Sequence, residues 1–250
     1  MLTSAQVDLK EKLDELVSIY EVPDFIKDDP IQFPHRFRKT EDVEIAGFLA
    51  SVFAFGTRKV FIAKLNELFE IMGNNPYEYI LKGDFVLNGF VYRFLKSEDI
   101  VVLLGVLHKL YKYDGGLKSL FMQAVKTDDL MQYICDYFYV NAPKNVGNGF
   151  YFAIPNPKNG GAMKRMWMFL RWMVRKSDVD LGIWQDIMKP SQLKIPLDTH
   201  VARISKELGL LTRNANDNKA VEELSNKLSE FDENDPVKYD FALFGYGVNN

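Results

Sequence analysis

Cysteine and histidine are scarce in this chain: one cysteine, Cys135, and three histidines occur in 250 residues. A single cysteine excludes a disulfide framework within the chain, and it also excludes an iron–sulfur cluster held by four cysteines of the chain. No group of histidine, cysteine and aspartate has the spacing of metal ligands. We therefore predict that the protein uses neither a metal nor another cofactor.

Long apolar runs are also missing, since no segment reaches the roughly 18 uninterrupted apolar residues of a membrane span. The first residues lack the basic and then apolar layout of a signal peptide. Both absences predict a cytoplasmic protein with no membrane association. The sequence is also not that of a disordered chain, because 47% of the residues are hydrophobic and 19 residues are phenylalanine.

The net charge of −3 argues against a protein that coats nucleic acid without specificity. Acidic residues are concentrated near both ends of the chain, whereas many basic residues lie between positions 158 and 203. The basic residues of this stretch include Lys158, Lys164, Arg165, Arg171, Arg175, Lys176 and Arg203. This distribution favours a localised basic face over a generally basic surface.

Helical periodicity dominates the sequence and predicts an all-α fold. The predicted helices lie within residues 7–17, 42–72, 97–113, 117–125, 130–139, 163–175, 199–208, 220–231 and 237–244. Residues 55–57 are a predicted helix joint, and residues 141–161 are a predicted loop with one short strand at 150–154. Asp235 and Pro236 have the residue types of a helix N-cap and of the first helical position. We expect a single compact unit with three divisions: an N-terminal segment, 1–40, a helical subdomain, 41–140, and a second helical subdomain, 141–250.

Two segments in the second half carry residues that can do chemistry, and the first contains Lys164. This lysine follows a tight turn at Gly160 and Gly161 and lies near the start of a helix that is apolar on nearly every face. Desolvation, the positive end of the helix and the neighbouring Arg165 all favour a neutral amine, which is a nucleophile. The alternative is a lysine that extends from a buried helix to the surface.

The second segment contains Asp198, directly before a predicted helix that starts with Thr199 and His200. A carboxylate at this position can orient an amine and stabilise positive charge that develops on a sugar ring, as paired carboxylates do in glycoside hydrolysis. The alternative is an ordinary helix N-cap, a role for which aspartate is one of the preferred residues.

Together the two segments resemble the helix-hairpin-helix DNA glycosylases. Residues 164–171 are similar to the lysine helix of the archaeal 8-oxoguanine glycosylases, and residues 197–203 are similar to the aspartate segment of the endonuclease III branch. The similarity covers most of residues 40–248, and the whole chain also resembles an uncharacterised bacterial family related to these enzymes. The hairpin departs from the usual glycine pattern at Ala162, and 34 positions separate Lys164 from Asp198, more than in most members.

The resemblance implies an all-α protein with two helical subdomains and a cleft between them, in which Lys164 and Asp198 are the catalytic residues. It implies a bifunctional glycosylase and lyase that removes a damaged purine, with 8-oxoguanine as the best candidate, through a Schiff base on Lys164. The implied partner is double-stranded DNA with a damaged base, bound at the bacterial nucleoid. The backbone amides of Gly160, Gly161 and Ala162 are expected to hold a phosphate. The iron–sulfur cysteines of the endonuclease III branch are missing.

Further residues are candidates for DNA contacts or for the base pocket. The candidate phosphate ligands are Arg58, Lys59, Arg165 and Arg171. Ordinary surface charge is the alternative for these side chains. Phe53 and Phe55 lie at the helix joint where related enzymes fill the gap left by a flipped base, and Trp167 can stack on such a base. For these three aromatic residues the alternative is a place in the core.

Two other functions stay open on the sequence. One is a non-catalytic nucleic-acid-binding module that keeps the fold and the phosphate-binding hairpin. The other is an all-α protein-interaction domain in which Lys164 is a surface lysine and Asp198 is a helix cap. The sequence indicates no particular oligomeric state.

Overall fold

A computed structural model describes residues 2–249, and these residues form an all-α protein, which confirms the predicted fold class. The thirteen α-helices of this range are α1 (Ser4–Tyr20), α2 (Pro23–Asp28), α3 (Thr40–Phe53), α4 (Arg58–Ile71), α5 (Pro76–Lys82), α6 (Ser97–Tyr113), α7 (Gly116–Ala124), α8 (Leu130–Asn141), α9 (Asn148–Ala153), α10 (Lys164–Val174), α11 (Thr199–Glu207), α12 (Asn218–Ser229) and α13 (Tyr239–Asn249). Strand pairing within residues 2–249 is limited to isolated β-bridges. No helix in this range has both the length and the apolar character needed to cross a membrane.

These helices belong to two compact units. Unit 1 combines Met1–Asp28 with Gly160–Asn250, and unit 2 is Asp29–Asn159. The boundaries differ from the divisions at residues 40 and 140 that we expected from the sequence. The difference arises because α1 packs on α13, while the short 3-10 turns Pro30–Gln32 and Pro34–Arg36 pack on α3.

Unit 2 is built around α3, in which every residue at positions 43–53 is buried. A helix that is apolar on nearly all sides belongs in the centre of a unit. Helices α5 and α7 pack on it, and Phe48 stacks on Phe138 of α8 with 5.3 Å between the ring centroids. Its buried acid, Glu44, accepts a hydrogen bond of 2.8 Å from the hydroxyl of Tyr111, so the carboxylate has a partner in the core.

Unit 1 is organised around α10 and α13. Residues 166–174 of α10 are buried, as its apolar sequence predicts. Helices α1 and α11 both pack on α13. Gly245 of α13 makes the contact with α1 close, because a Cβ at this position would overlap the ring of Tyr20.

Most predicted helices are confirmed, and so is the joint between α3 and α4, where Gly56 has a φ of +79°. The predicted strand at residues 150–154 was wrong, because most of this segment belongs to helix α9, and the predicted loop at residues 141–161 is shorter for the same reason. Aromatic residues favour strands by propensity. Phe150 and Ala153 are nevertheless both buried, and a spacing of three matches one face of a helix.

The prediction for Asp235 is confirmed for its N-cap position but not for a capping hydrogen bond. Asp235 precedes the 3-10 turn Pro236–Lys238, but its side chain makes no cap hydrogen bond. Its two carboxylate oxygens instead accept hydrogen bonds from Nε of Arg175, at 3.0 and 2.8 Å. The carboxylate of Asp235 therefore pairs with the buried guanidinium of Arg175 and does not cap the backbone amides of the following turn.

Candidate functional site

Lys164 is the first residue of α10 and is half-buried. The chain reaches it through a turn in which Gly160 has a φ of +76° and Met163 a φ of +50°. The carbonyl oxygen of Gly160 accepts a hydrogen bond of 2.9 Å from the amide of Asn218, which ties the turn to the start of α12. The start of α10 is thereby fixed by tertiary contacts as well as by its own sequence.

The turn at Gly160 and Gly161 leaves backbone donors at the surface. Both glycines are exposed, and an isolated antiparallel bridge pairs Gly161 with Asp217. Exposed amides before a helix can bind an anion. The geometry is therefore compatible with the predicted phosphate contact, which includes the next residue, Ala162, a half-buried position.

Asp198 caps α11. Its backbone is extended, with φ of −115° and ψ of −173°, and its Oδ1 accepts a hydrogen bond of 2.9 Å from the amide of Val201. The residues before it are anchored, since Leu197 is buried and the amide of Ile195 donates to the hydroxyl of Ser225 at 3.0 Å. The half-buried carboxylate thus starts from a fixed backbone, and one of its oxygens is engaged as a cap.

Lys164 and Asp198 both influence the charge of a third residue, Asp240 of α13, which is 7% exposed. Burial raises the pKa of this carboxyl group to about 7. The negative charge of Asp198 also raises this pKa, whereas the positive charges of Arg171 and Lys164 lower it. Charges exert such effects only over short distances in a protein. The structure therefore brings Lys164 and Asp198 into the neighbourhood of one buried carboxyl group.

Arg171 holds this carboxyl group in place. The guanidinium forms an ion pair with Asp240 through Nη1 and donates from Nε to Asp180 at 3.3 Å. Its side chain is only 4% exposed. We predicted Arg171 as a DNA contact, but a guanidinium enclosed by two carboxylates presents no face to a phosphate. Arg171 belongs to the interior of unit 1.

The remaining predicted residues of α10 lie partly or fully inside unit 1. Arg165 is half-buried, and burial lowers its pKa to about 10. Trp167 is 9% exposed, which favours the core interpretation over stacking on a base. Its indole N–H has no acceptor among residues 2–249.

The predicted wedge and two predicted phosphate ligands lie in unit 2. Phe53 is completely buried and stacks on Tyr92 at 5.7 Å between centroids, so it is a core residue and not an exposed wedge. Phe55 is half-buried. At the start of α4, Arg58 is half-buried and Lys59 is exposed.

Asp240 is the residue that the sequence interpretation missed. It is a lone acid in the apolar stretch 239–244, flanked by Tyr239 and Phe241. An ionisable residue on an otherwise apolar helix is seldom buried without a partner. That pattern was the available signal, but the partner, Arg171, lies 69 positions away. For metal ions the described residues offer no group of three or more potential histidine, cysteine or carboxylate ligands.

Fold and site define an all-α protein in which the starts of two helices bring a lysine and an aspartate to one buried carboxyl group. Residues 29–249 match the family described as "Protein of unknown function (DUF2400)", and the chain belongs to this family. Neither the curated proteins nor the solved structures contain a match.

Proposed function

We propose that the protein is a DNA repair glycosylase with lyase activity, which removes a damaged purine, with 8-oxoguanine as the first candidate. The observation that carries the proposal is the common neighbourhood of Lys164, Asp198 and Asp240 in unit 1. A lysine and an aspartate that start two helices and both influence the charge of one buried carboxyl group are compatible with the arrangement that the glycosylase resemblance implies. In chain order, the glycine turn lies between α9 and α10.

Substrate binding begins with a nucleotide that leaves the DNA duplex, because a base inside the stack cannot be reached. The exposed amides of Gly160 and Gly161 bind a phosphate of the backbone. These contacts need no excess of lysine and arginine, which is compatible with a net charge of −3. The flipped nucleoside then presents its C1′ atom to Lys164.

The reaction uses the lone pair that the Lys164 amine carries once it has given up its proton. The new bond from nitrogen to C1′ forms while the glycosidic bond breaks, and the base leaves with that electron pair and takes up a proton. The nitrogen loses a proton, its lone pair forms the double bond to C1′, and the bond between C1′ and O4′ breaks. O4′ keeps that electron pair and takes up a proton, and a protonated imine results. Loss of a proton from C2′ and cleavage of the C3′–O3′ bond then nick the strand.

Asp198 and Asp240 have different tasks in this mechanism. Asp198 stabilises the positive charge on the sugar and assists the proton transfers through the carboxylate oxygen that does not cap α11. Asp240, paired with Arg171, positions Lys164 through its charge.

The test is borohydride trapping on duplex DNA that contains 8-oxoguanine or an abasic site. Wild type should yield a covalent adduct, and Lys164→Gln should yield none. Lys158→Gln is the matched control, because Lys158 is an exposed lysine six positions upstream. An adduct that persists in Lys164→Gln would contradict the assignment of the nucleophile.

The same experiment separates the proposal from its alternatives. DNA binding without an adduct across a panel of lesions would favour a non-catalytic nucleic-acid-binding module, in which Asp198 serves only as the cap of α11. Absence of DNA binding at moderate salt would favour a protein-interaction domain.

A further inference from the structure

Unit 2 contains a tight turn that presents two exposed side chains. The amide of Tyr92 donates to the carbonyl of Leu95 at 2.9 Å, and the amide of Leu95 donates to the carbonyl of Tyr92 at 2.8 Å. Arg93 and Phe94 form the tip, where Arg93 has a φ of +52° and Phe94 is 57% exposed. A non-glycine residue with positive φ is strained and often marks a functional position.

Phe94 belongs to an aromatic cluster with two other rings. Its centroid lies 5.1 Å from that of Phe152 in α9 and 6.4 Å from that of Phe55, and Phe55 and Phe152 are 4.7 Å apart. The guanidinium of Arg93 lies 5.5 Å from the ring of Phe94 and 5.9 Å from that of Phe55. The cluster therefore combines aromatic faces with a fixed positive charge.

A cavity of about 690 Å³ opens beside this cluster. Its lining includes Arg93, Phe94, Phe152, Lys96, Glu98 and Asp99. The floor is rigid, because the buried carboxylate of Asp99 accepts hydrogen bonds from the amides of Lys96 and Phe150 at 3.0 and 3.2 Å. A Cβ at Gly147 or at Gly149 would overlap that carboxylate, so this close packing of the loop requires glycine.

We propose that this cavity binds a nucleotide, with the base stacked against Phe94 and the phosphate held by Arg93 and Lys96. The volume lies within the range of small-molecule sites, about 300 to 1,000 Å³. Base stacking on aromatic side chains next to a cationic groove is how proteins bind unpaired nucleotides. Arginine also suits phosphate, because its planar donors match phosphate oxygens.

Glu98 determines which bases fit best. It lines the cavity and is exposed, and its carboxylate makes no hydrogen bond or ion pair within residues 2–249. A carboxylate accepts hydrogen bonds and therefore favours bases with an exocyclic amine, such as cytosine, over thymine. Asp99 cannot take this role as easily, because backbone amides already occupy both of its oxygens.

The inference goes beyond the proposed function, since the cavity lies in unit 2 and requires no reaction at Lys164. The test uses the full chain with the fluorescent hexanucleotide (dC)₆ and with free dCMP as competitor. Phe94→Ala should weaken binding of the hexanucleotide about tenfold, the scale of one lost base stack. Tyr113→Ala is the matched control, because it removes another exposed aromatic ring of unit 2, 67% exposed, and should leave binding unchanged.

Charge and base preference provide two further measurements. Arg93→Asn should keep the turn, because asparagine tolerates positive φ. It should weaken binding and make binding less dependent on salt, because it removes a positive charge from the phosphate contact. Wild type should prefer (dC)₆ over (dT)₆, and Glu98→Gln should reduce that preference. Competition by dCMP identifies a site for a free nucleotide, whereas Phe94-dependent binding of the hexanucleotide without such competition identifies a site for a strand; both support the nucleotide pocket.

The inference is overturned if wild type binds neither dCMP nor the hexanucleotide, or if Phe94→Ala binds as Tyr113→Ala does. Neither result concerns the lyase. A protein that binds the hexanucleotide through Phe94 but gives no borohydride adduct contradicts only the proposed function. A protein that forms the Lys164 adduct without Phe94-dependent binding contradicts only the pocket.

Discussion

Two aspartates begin helices in unit 1 with nearly the same geometry. Asp198 has φ of −115° and ψ of −173°, and Asp217 has φ of −120° and ψ of −175°. Each accepts a hydrogen bond from the amide three positions ahead, at 2.9 Å from Val201 and 3.1 Å from Ala220. As helix caps the two residues are equivalent.

Their electrostatic surroundings are opposite. Asp217 forms a surface pair with Arg213, whose Nε donates to Oδ1 at 2.7 Å, and this hydrogen bond lowers the pKa of Asp217. Asp198 has no ion-pair partner within residues 2–249, and its charge instead adds to the rise that burial causes in the pKa of Asp240. Local geometry therefore makes both residues caps, and only the tertiary surroundings distinguish the candidate catalytic carboxylate.

The largest effect is expected in the free energy of unfolding, when the loss of Arg171 is compared with the loss of Arg213. Arg171→Met leaves the buried carboxylates of Asp180 and Asp240 without their shared guanidinium. Breaking a buried pair from one side costs about 3 kcal/mol or more. We expect a loss of this size in the free energy of unfolding, measured in urea.

The matched variant is Arg213→Met, which breaks the exposed pair at the other cap. Surface pairs contribute little to stability because water screens them, so its urea midpoint should stay close to that of wild type. Equal losses in the two variants would contradict the distinction between a buried and a surface network.

The second largest effect is expected in the rate of base release, when Asp198→Asn is compared with Asp217→Asn. Asp198→Asn keeps a side-chain oxygen for the amide of Val201, so α11 stays capped, but it removes the negative charge. We expect release of the damaged base to slow about 100-fold, the lower range for general acid–base catalysis. Asp217→Asn, with the same chemical change, should leave the rate of base release unchanged; comparable rates in both variants would remove Asp198 from the mechanism.

The pH dependence of stability should reveal Asp240. Its unfolded pKa is about 3.9, and burial raises the folded pKa to about 7. Between these values the folded state holds a proton that the unfolded state has lost, so stability falls as pH rises and levels off above about pH 7. Asp217 acts in the opposite sense, because its lowered pKa gives stability that is lost as pH falls.

The measurement compares wild type with Asp240→Asn in urea between about pH 5 and pH 7. Wild type should lose up to about 2 kcal/mol relative to the variant over this range. Asp235 also has a pKa raised by burial, and the difference between the two proteins cancels its contribution. Asp180, which has a raised pKa too, shares Arg171 with Asp240, so the difference reports the titration of these two coupled carboxyl groups. Parallel curves would mean that Asp240 does not titrate in this range.

The comparison of the two caps also shows how far the sequence alone could lead. Periodicity predicted the all-α fold and the positions of Lys164 and Asp198 at helix starts, because these are local properties. The side chain of Asp235 does not cap its helix, and Asp240 was missed, because both carboxylates pair with arginines that are distant in sequence, Arg175 and Arg171. Spacing along a helix carries no information on such pairs.

The smallest expected effect isolates the capping role that Asp198 shares with Asp217. Asp198→Ala removes both the charge and the oxygen that accepts from Val201, whereas Asp198→Asn removes only the charge. The free energy of unfolding of the alanine variant should therefore be about 1 kcal/mol lower than that of the asparagine variant, which is the usual contribution of an N-cap. If both variants are equally slow in base release but differ in this way in urea, the charge serves the reaction and the oxygen serves the helix. Equal stability would mean that the capping hydrogen bond contributes little and that tertiary contacts, such as that of Ile195 with Ser225, hold the start of α11.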